Sequence, residues 1–344
     1  MISIIILNYN AGKLLIDCVS SILQSNFTDF EIIVVDNMSS DDSHIECKKK
    51  FKDIILIQNK ENLGYCAGNN VGLRKAKGEY IVILNPDTTV SPNWLDELIN
   101  AHRKTGEGLY QPKILSLSEP AKLGTTGNMI NVFGFGFSRD RGEYDRNQRN
   151  EIEEIGYASG TCLFLSSKTL KKIGFLDPFL FAYHDDLEFG WRARELGISS
   201  FYVPQSIIYH AESFSFKWKP FKFFLLERNR QYCIRTHYSK KTFYKILPEL
   251  ILVEIAVLVF YTAKGLLIQK IKANLNIIQN RKKIKEKYNE IHKYKKIQDR
   301  EIVEFFKDEI IIPSELSRIA KGSMFLNLIT KLSKRAKNKI LTSS

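Results

Sequence analysis

The sequence lacks the glycine-rich motifs with which many proteins hold phosphate groups. Neither GxGxxG nor GxxxxGK followed by Ser or Thr occurs among its 344 residues, which excludes the usual dinucleotide fingerprint and the P-loop. A nucleotide bound by this chain would therefore need a metal ion, rather than a glycine-rich cradle, to offset the charge of its pyrophosphate.

Cysteine is scarce and scattered. The chain has five cysteines, an odd number, and none forms a CxxC pair. Neither a disulfide framework nor a zinc site is predicted, and a reducing, cytoplasmic setting is expected. The apolar residues 2–7 have no basic segment before them and no small-residue cleavage site after them, so we predict no secretory signal.

Charge is distributed unevenly along the chain. Up to His210 there are 22 Lys and Arg against 26 Asp and Glu, whereas the remainder has 29 against 12. This asymmetry predicts a catalytic domain at residues 1–215 and a basic helical extension at 216–344. Basic residues mixed with aromatic ones also fit single-stranded nucleic acid. However, the first part is acidic and no DNA or RNA module is recognisable, so nucleic acid is not an expected partner.

Strand and helix patterns alternate through the first hundred residues. Short apolar runs predict strands at residues 3–7, 31–36, 54–58 and 80–84, and helical spacing predicts helices at 11–24, 41–51, 68–77 and 92–104. Such alternation favours an α/β fold with an open, mainly parallel sheet flanked by helices. Residues 113–155 are predicted to be irregular with short strands, and 162–165 and 200–203 to be further strands.

Polar side chains follow three of these predicted strands. Asn8 and Asn10 follow the first, Asp36 ends the second, and Asn85 and Asp87 follow the fourth in "IVILNPDTTV". Ligands of open α/β sheets bind at the carboxyl ends of the strands, so three such ends suggest a pocket. Taken alone, the last segment is more typical of a turn, because Asn, Pro and Asp are turn formers.

The segment "FAYHDDLEFGWRARELG" concentrates carboxylates. Asp185, Asp186 and Glu188 lie within four residues, and partial burial of such a cluster raises at least one pKa. A carboxylate of that kind suits proton acceptance near neutral pH. The alternative is a helix N-terminus, where acidic residues are favoured by the dipole. Further on, His210 again follows a short apolar run.

Together these segments resemble the family 2 glycosyltransferases, most closely their rhamnosyltransferase-like and galactofuranosyltransferase-like branch. The matching motifs are "SIIILNYN", "VVDNMSSDDS", "NLGYCAGNNVGL", "GEYIVILNPDTTV", "GTCLFLSSKTLKKIGFLDPFLF" and "DDLEFGWRARELG", within residues 1–235. The resemblance implies a GT-A fold, a nucleotide-activated sugar donor (UDP-, dTDP- or GDP-linked), Mg²⁺ or Mn²⁺, and inversion at the anomeric carbon by direct displacement.

The resemblance also implies roles for single residues. Asp186 matches the catalytic base, with Asp185 as the alternative, and Gly160 and Trp191 fall on the acceptor side. Asp87 and His210 match metal ligands, although Asn85 stands where a full DxD motif has its first aspartate. The residues implied to bind the nucleotide sugar are Asn8, Asn10, Asp36, Asn62, Gly64, Asn85 and Asp87.

The basic C-terminal part contains a long apolar run at residues 246–268. Glu254 interrupts it, and a central carboxylate costs roughly 2.5–3.5 kcal/mol on insertion scales. An interfacial helix is therefore favoured over a spanning one. Residues 264–300 hold 12 Lys and Arg against three acids, which attracts anionic lipid heads, and the aromatic residues 214–224 suit the same boundary. The alternative is a solvated helical extension that packs on a second copy.

The sequence thus predicts a single-sugar transferase on the cytoplasmic face of a membrane, with a glycan or lipid-linked glycan as acceptor. A nucleotidyltransferase of similar architecture is the main enzymatic alternative, but the segment after the first strand is poor in the glycines that bind triphosphate. A processive synthase would be expected to carry a QxxRW motif and several spanning helices, and the sequence has neither.

Overall fold

The computed structural model describes residues 1–211, 219–311 and 324–342. These residues form two compact units. The sheet unit comprises residues 1–128, 138–190 and 198–211, and the helical unit comprises 129–137, 191–197, 219–311 and 324–342. The division therefore does not follow one cut near residue 215, because two short segments before it belong to the helical unit. Of the aromatic segment 214–224, residues 214–218 lie outside the described residues.

The described residues form twelve β-strands. They are β1 Ile2–Asn8, β2 Phe30–Asp36, β3 Ile55–Gln58, β4 Tyr80–Leu84, β5 Thr88–Val90, β6 Gly108–Ser116, β7 Leu123–Thr125, β8 Asn128–Ile130, β9 Gly136–Ser138, β10 Glu153–Ile155, β11 Cys162–Ser166 and β12 Ser199–His210.

The described residues also form twelve α-helices and a short 3₁₀ helix at Pro178–Leu180. The α-helices are α1 Lys13–Ile22, α2 Ser43–Lys50, α3 Gly64–Leu73, α4 Trp94–Thr105, α5 Ser167–Ile173, α6 Asp185–Glu195, α7 Pro220–His237, α8 Lys240–Ala263, α9 Leu267–Gln279, α10 Arg281–Tyr294, α11 Asp299–Glu304 and α12 Met324–Leu341.

The main sheet is open and mixed, in the order β10-β12-β6-β11-β4-β1-β2-β3. Strand β1 pairs in parallel with β2 and β4, and β2 with β3. Strand β11 pairs antiparallel with β4 and β6, while β6 and β12 are parallel. The predicted fold class is confirmed. Because Asn8 lies opposite Asp36 in the register, the polar ends of β1 and β2 meet at one edge.

The core of the sheet unit explains why these segments form strands and helices. The middle residues of β1, β2 and β4 are aliphatic and buried, as β-branched side chains favour a sheet covered by helices. Helix α1 buries Leu15, Cys18, Val19 and Ile22, which share one face at helical spacing.

Two predicted boundaries differ from the structure for physical reasons. Strand β6 begins in a segment for which the sequence predicted no strand, because Gln111, Pro112 and Lys113 interrupt its apolar pattern. Gln111 nevertheless accepts a hydrogen bond from the Ser159 amide (2.9 Å), and Lys113 pairs with Asp145 (2.8 Å). Strand β12 continues past the predicted 200–203 as far as His210 through an irregularity between Val203 and Ile207.

The helical unit encloses charged side chains as well as apolar ones. Arg230 pairs with Glu227 (2.8 Å) and with Glu254 (2.5 Å), and Lys270 contacts both glutamates. Breaking such a buried network by removing one partner leaves an uncompensated charge, which costs about 3–5 kcal/mol. The network therefore fixes the mutual orientation of α7, α8 and α9.

Candidate active site

The edge of β1 and β2 carries a hydrogen-bonded cluster of polar side chains. The Asn8 side-chain amide donates to Asp36 Oδ1 (2.9 Å), Ser39 Oγ (3.0 Å) and Ser43 Oγ (2.8 Å). The Ser39 amide donates to the other Asp36 oxygen (3.0 Å). Asp36 is 2% exposed, and the buried Asn8 Oδ1 accepts no hydrogen bond from the described residues. The cluster thus has a fixed carboxylate and one buried acceptor, Asn8 Oδ1, that accepts no hydrogen bond from the described residues.

Asn10 lies beside this cluster and bonds to the same loop. Its backbone adopts a left-handed conformation (φ 54°), which asparagine tolerates better than most residues. Its amide donates to Ser39 Oγ (2.9 Å), and its Oδ1 accepts from the Ser40 amide (2.7 Å). The residue therefore joins the loop after β1 to the loop after β2.

A second set of asparagines connects the end of β2 to the start of α3. The Asn37 side-chain amide donates to Asn62 Oδ1 (2.8 Å), which also accepts from the Gly64 amide (2.9 Å). Gly64 has φ +76°, and a Cβ there would lie 2.5 Å from the Phe181 ring. Glycine is therefore required. Asn37 was not named as a candidate site residue from the sequence, although its position directly after Asp36 indicated it.

Asp87 and His210 come together through the pairing of β5 with β12. Residue Thr88 lies opposite His210 in that register, so the preceding Asp87 reaches the histidine. Asp87 Oδ1 lies 3.3 Å from His210 Nε2, and this oxygen is buried without a hydrogen bond among the described residues. Asn85 is partly exposed, and its carbonyl accepts from the Thr88 hydroxyl (2.7 Å).

A carboxylate oxygen facing an imidazole nitrogen fits a divalent cation. Carboxylate suits Mg²⁺ and Mn²⁺, and imidazole is accepted more readily by Mn²⁺. Within the described part of the chain, no group of three or more His, Cys, Asp or Glu side chains is placed to hold a metal ion. A cation here would be held by the Asp87 and His210 side chains.

The two aspartates at the start of α6 differ in their surroundings. Asp186 is half-buried, and its two oxygens accept from the amides of Gly160 (3.1 Å) and Leu187 (2.8 Å). Asp185 is only 7% exposed. Burial raises the pKa of Asp186, although these amides oppose the change. Burial, and next the charge of Asp186, raise the pKa of Asp185 well above its usual range.

The segment before this pair is held in an unusual backbone conformation. Phe181, Tyr183 and His184 have φ of 62°, 64° and 58°, which costs of order 1–3 kcal/mol at each non-glycine position. The Phe181 carbonyl accepts hydrogen bonds from the amides of Tyr65 (2.6 Å) and Cys66 (3.2 Å). The first turn of α3 therefore stabilises the loop that presents Asp185 and Asp186.

Tyr65 also supports Asp185 and Asp186 through Gly160. Its hydroxyl donates to the Gly160 carbonyl (2.5 Å), while the Gly160 amide donates to Asp186. A Cβ at Gly160 would lie 2.8 Å from the Tyr65 hydroxyl and 3.4 Å from Asp185 Oδ2. Gly160 is thus enclosed between the phenol and the acids. Tyr65 was missed in the sequence because its partner is 95 residues away.

Trp191, predicted on the acceptor side, belongs to the helical unit and is 1% exposed. Its ring stacks on His237 (centroids 4.9 Å apart) and meets Tyr238 and Phe306 edge-on. Contact between this ring and an acceptor would require that packing to open.

Comparison with known proteins places this geometry in a family. The model of glycosyl transferase family 2 matches residues 3–174, half of the chain. The low-salt glycan biosynthesis hexosyltransferase Agl10 of Haloferax volcanii is 28% identical over 58% of this chain. The alignment spans 63% of that relative, so the chain covers less than two thirds of its length.

Two further similarities concern a second relative and a solved structure. An N-acetylglucosaminyl-diphospho-decaprenol L-rhamnosyltransferase of Mycobacterium tuberculosis is 24% identical over 62% of this chain and 77% of its own. The crystal structure of GalNAc-T7 with UDP, GalNAc and Mn²⁺ covers 73% of this chain and 51% of its own, with a TM-score of 0.60 and 17% identity. The structural likeness shows a GT-A-like fold. The chain belongs to glycosyl transferase family 2.

Proposed function

We propose that this protein transfers one sugar from a nucleotide diphosphate sugar to a hydroxyl group of a glycan or lipid-linked glycan, with inversion at the anomeric carbon. The observation that carries the proposal is the Asp186 carboxylate, which is half-buried and held by the Gly160 and Leu187 amides in a chain of this family. A carboxylate fixed in this way suits the role of a general base.

In the proposed reaction Asp186 takes the proton of the acceptor hydroxyl while that oxygen attacks the anomeric carbon. The new glycosidic bond forms as the bond between the anomeric carbon and the diphosphate oxygen breaks, and the nucleoside diphosphate leaves with the electron pair. Because attack and departure occur on opposite faces, the configuration inverts without a covalent intermediate. The raised pKa of Asp186 brings its basicity closer to neutral pH.

A divalent cation held by Asp87 and His210 would offset the charge that develops on the diphosphate. Their 3.3 Å approach, without a hydrogen bond to Asp87 Oδ1 from the described residues, supports this assignment. The GalNAc-T7 structure contains UDP and Mn²⁺, which favours the same chemistry here. We propose that Asn8, Asn10, Asp36, Asn62 and Gly64 bind the donor.

The class of acceptor and the cellular location are also part of this proposal, and both are inferred from the relatives. The mycobacterial relative is named for a sugar attached through diphosphate to a polyprenol. An acceptor of that class would keep the enzyme on the cytoplasmic face of a membrane. A nucleotidyltransferase, the alternative from sequence, is not favoured, because the family match covers half of the chain.

A panel of UDP-, dTDP- and GDP-linked sugars should reveal the donor by thermal unfolding with and without Mn²⁺. At about 100 times its Kd, a donor should raise the free energy of unfolding by about 2.7 kcal/mol, and chelation with EDTA should remove most of that gain. Release of pyrophosphate from a nucleoside triphosphate and a sugar phosphate would instead establish the nucleotidyltransferase.

Tyr65→Phe should lower kcat roughly tenfold, because loss of the bond to the Gly160 carbonyl loosens the group that fixes Asp186. The hydrogen bond from the Gly160 amide lowers the pKa of Asp186. If this bond to Asp186 weakens in the variant, the pKa of Asp186 should rise, and the acid limb of kcat/KM should move to higher pH. Initial rates across pH and the donor Kd by calorimetry measure these effects.

The exposed Tyr144, in the same unit, provides the matched control. Tyr144→Phe should change neither kcat nor the acid limb. A Tyr65→Phe enzyme with wild-type kcat and an unchanged limb would refute the positioning role. A purely structural role would lower the unfolding temperature without shifting the pH profile.

A further inference from the structure

Helix α8 presents an apolar face that the rest of the helical unit does not cover. Its opposite face is buried through Ile246, Leu250, Val253, Val257 and Tyr261, spaced three and four residues apart. The exposed residues lie between these positions: Ile251 (50%), Leu252 (48%), Ile255 (54%), Leu258 (39%) and Val259 (62%). Contiguous exposed apolar surface of this kind marks an interaction site in soluble proteins.

The carboxylate that interrupts this helix is directed away from the exposed face. Glu254 pairs with Arg230 and Lys270 of the helical unit, and its side chain is 27% exposed. The other acid of the helix, Glu249, is buried and pairs with Lys339 (2.7 Å). The exposed surface of α8 is therefore apolar without a neighbouring free carboxylate.

Helix α9 repeats the pattern. Lys270, Ala273 and Ile277 are buried, and the helix contains no Asp or Glu. Its exposed apolar residues are Leu267 (36%), Ile268 (62%), Ile271 (46%), Leu275 (51%) and Ile278 (60%).

Exposed cations accompany these two faces. Lys264 lies in the turn between α8 and α9, Lys272 on α9, and Arg281, Lys282 and Lys283 at the start of α10, and all five are exposed. Lysines beside apolar residues are typical of helices that lie in the headgroup region of anionic membranes, where each is attracted to the negatively charged lipid heads. A protein partner would not require this combination of aliphatic surface and unpaired positive charge.

We propose that the exposed faces of α8 and α9 form a docking surface for an anionic lipid bilayer. Of the described residues, only α8 is long and apolar enough to span a membrane, by length and composition alone. One third of the apolar stretch of α8 is buried within the protein, and Glu254 is paired with two cations. We therefore infer that α8 lies on the membrane rather than across it. Docking is independent of the transfer chemistry and would bring the proposed enzyme to lipid-linked acceptors.

Flotation of the full chain with vesicles tests the proposal. The protein should float with vesicles of phosphatidylcholine and phosphatidylglycerol and much less with phosphatidylcholine alone. Leu252→Ser, Ile255→Ser and Val259→Ser combined should lower the bound fraction at least tenfold, because three aliphatic side chains no longer enter the interface. Lys264→Glu, Lys272→Glu and Lys283→Glu combined should abolish the preference for the anionic lipid.

The control replaces equally exposed aliphatic residues of the sheet unit: Leu23→Ser, Ile45→Ser and Ile55→Ser combined, whose side chains are 52%, 53% and 38% exposed. This variant should float like the wild type.

Wild-type binding by the α8 variant, or no flotation of the wild type, would overturn the proposal. Light scattering that shows a dimer for the wild type and a monomer for the α8 variant, without flotation of either, would identify the surface as an interface between two copies. Donor binding, measured in parallel, separates failure of docking from failure of the proposed transferase.

Discussion

Replacing Asp186 with asparagine should lower kcat by about 10²–10⁴-fold, the usual contribution of a general base. The amide preserves the size of the side chain, and its single oxygen can accept from one of the two amides, Gly160 or Leu187, that bond the two carboxylate oxygens, but it cannot take a proton. Because the base acts only in the chemical step, the donor Kd should change by less than about twofold. Single-turnover rates and calorimetry with the donor measure the two effects.

Asp185→Asn is the matched control for this prediction. Burial and the charge of Asp186 raise the pKa of Asp185 well above its usual range, so ionisation of Asp185 is disfavoured while Asp186 is charged. Asparagine resembles that neutral state, and the variant should keep at least about a tenth of the wild-type kcat. If Asp185→Asn were inactive and Asp186→Asn active, the base would be Asp185.

The pH profile provides an independent check on the pair. Burial raises the pKa of Asp186 above its usual range, and the carboxylate accepts a proton only when ionised. Activity should therefore be present above this raised pKa and be lost as the pH falls through it. The loss should occur at a higher pH than the pKa of about 3.9 that an ordinary aspartate has. The acid limb of kcat/KM in the free enzyme reports the apparent values of the pair.

The sequence predicted the parallel strands and their polar ends because that signal is local. Each apolar run is buried between helices, and the residue that ends it is next in the chain. Asn8 and Asp36 therefore could be placed at one edge from the alternation of strands and helices alone. The register between them, and the hydrogen bond that joins them, confirm that part of the prediction.

The remaining arrangement depends on pairings that no local pattern predicts. Asp87 meets His210 because β5 pairs with β12, and β5 begins within a segment whose sequence, taken alone, is more typical of a turn. Only the family resemblance suggested this pair. Tyr65 and Gly160 meet across 95 residues, and the polar β6 lies between β11 and β12 although its sequence is not typical of a strand. Such contacts are set by tertiary packing, which overrides local propensity.

Asp87→Asn should make donor binding independent of Mn²⁺ and weaken it by roughly 10–1000-fold, since a bound cation contributes several kcal/mol of charge stabilisation. The substitution removes the negative charge but leaves the Asp87 carbonyl bonded to the Ala211 amide (2.9 Å), so the local backbone should persist. Thermal unfolding with the donor across a Mn²⁺ titration measures the effect without catalysis.

Two comparisons decide what a positive result means. His210→Ala should weaken the Mn²⁺ response in the same direction, because its Nε2 lies 3.3 Å from Asp87 Oδ1. Asp53→Asn, an exposed carboxylate of the same unit, should leave the titration unchanged, which shows that the effect is not one of net charge. An Asp87→Asn protein with a wild-type Mn²⁺ response would exclude Asp87 as a ligand. If the Mn²⁺ response were lost in Asp87→Asn but kept in His210→Ala, His210 would not be a metal ligand and its contact with Asp87 would be purely structural.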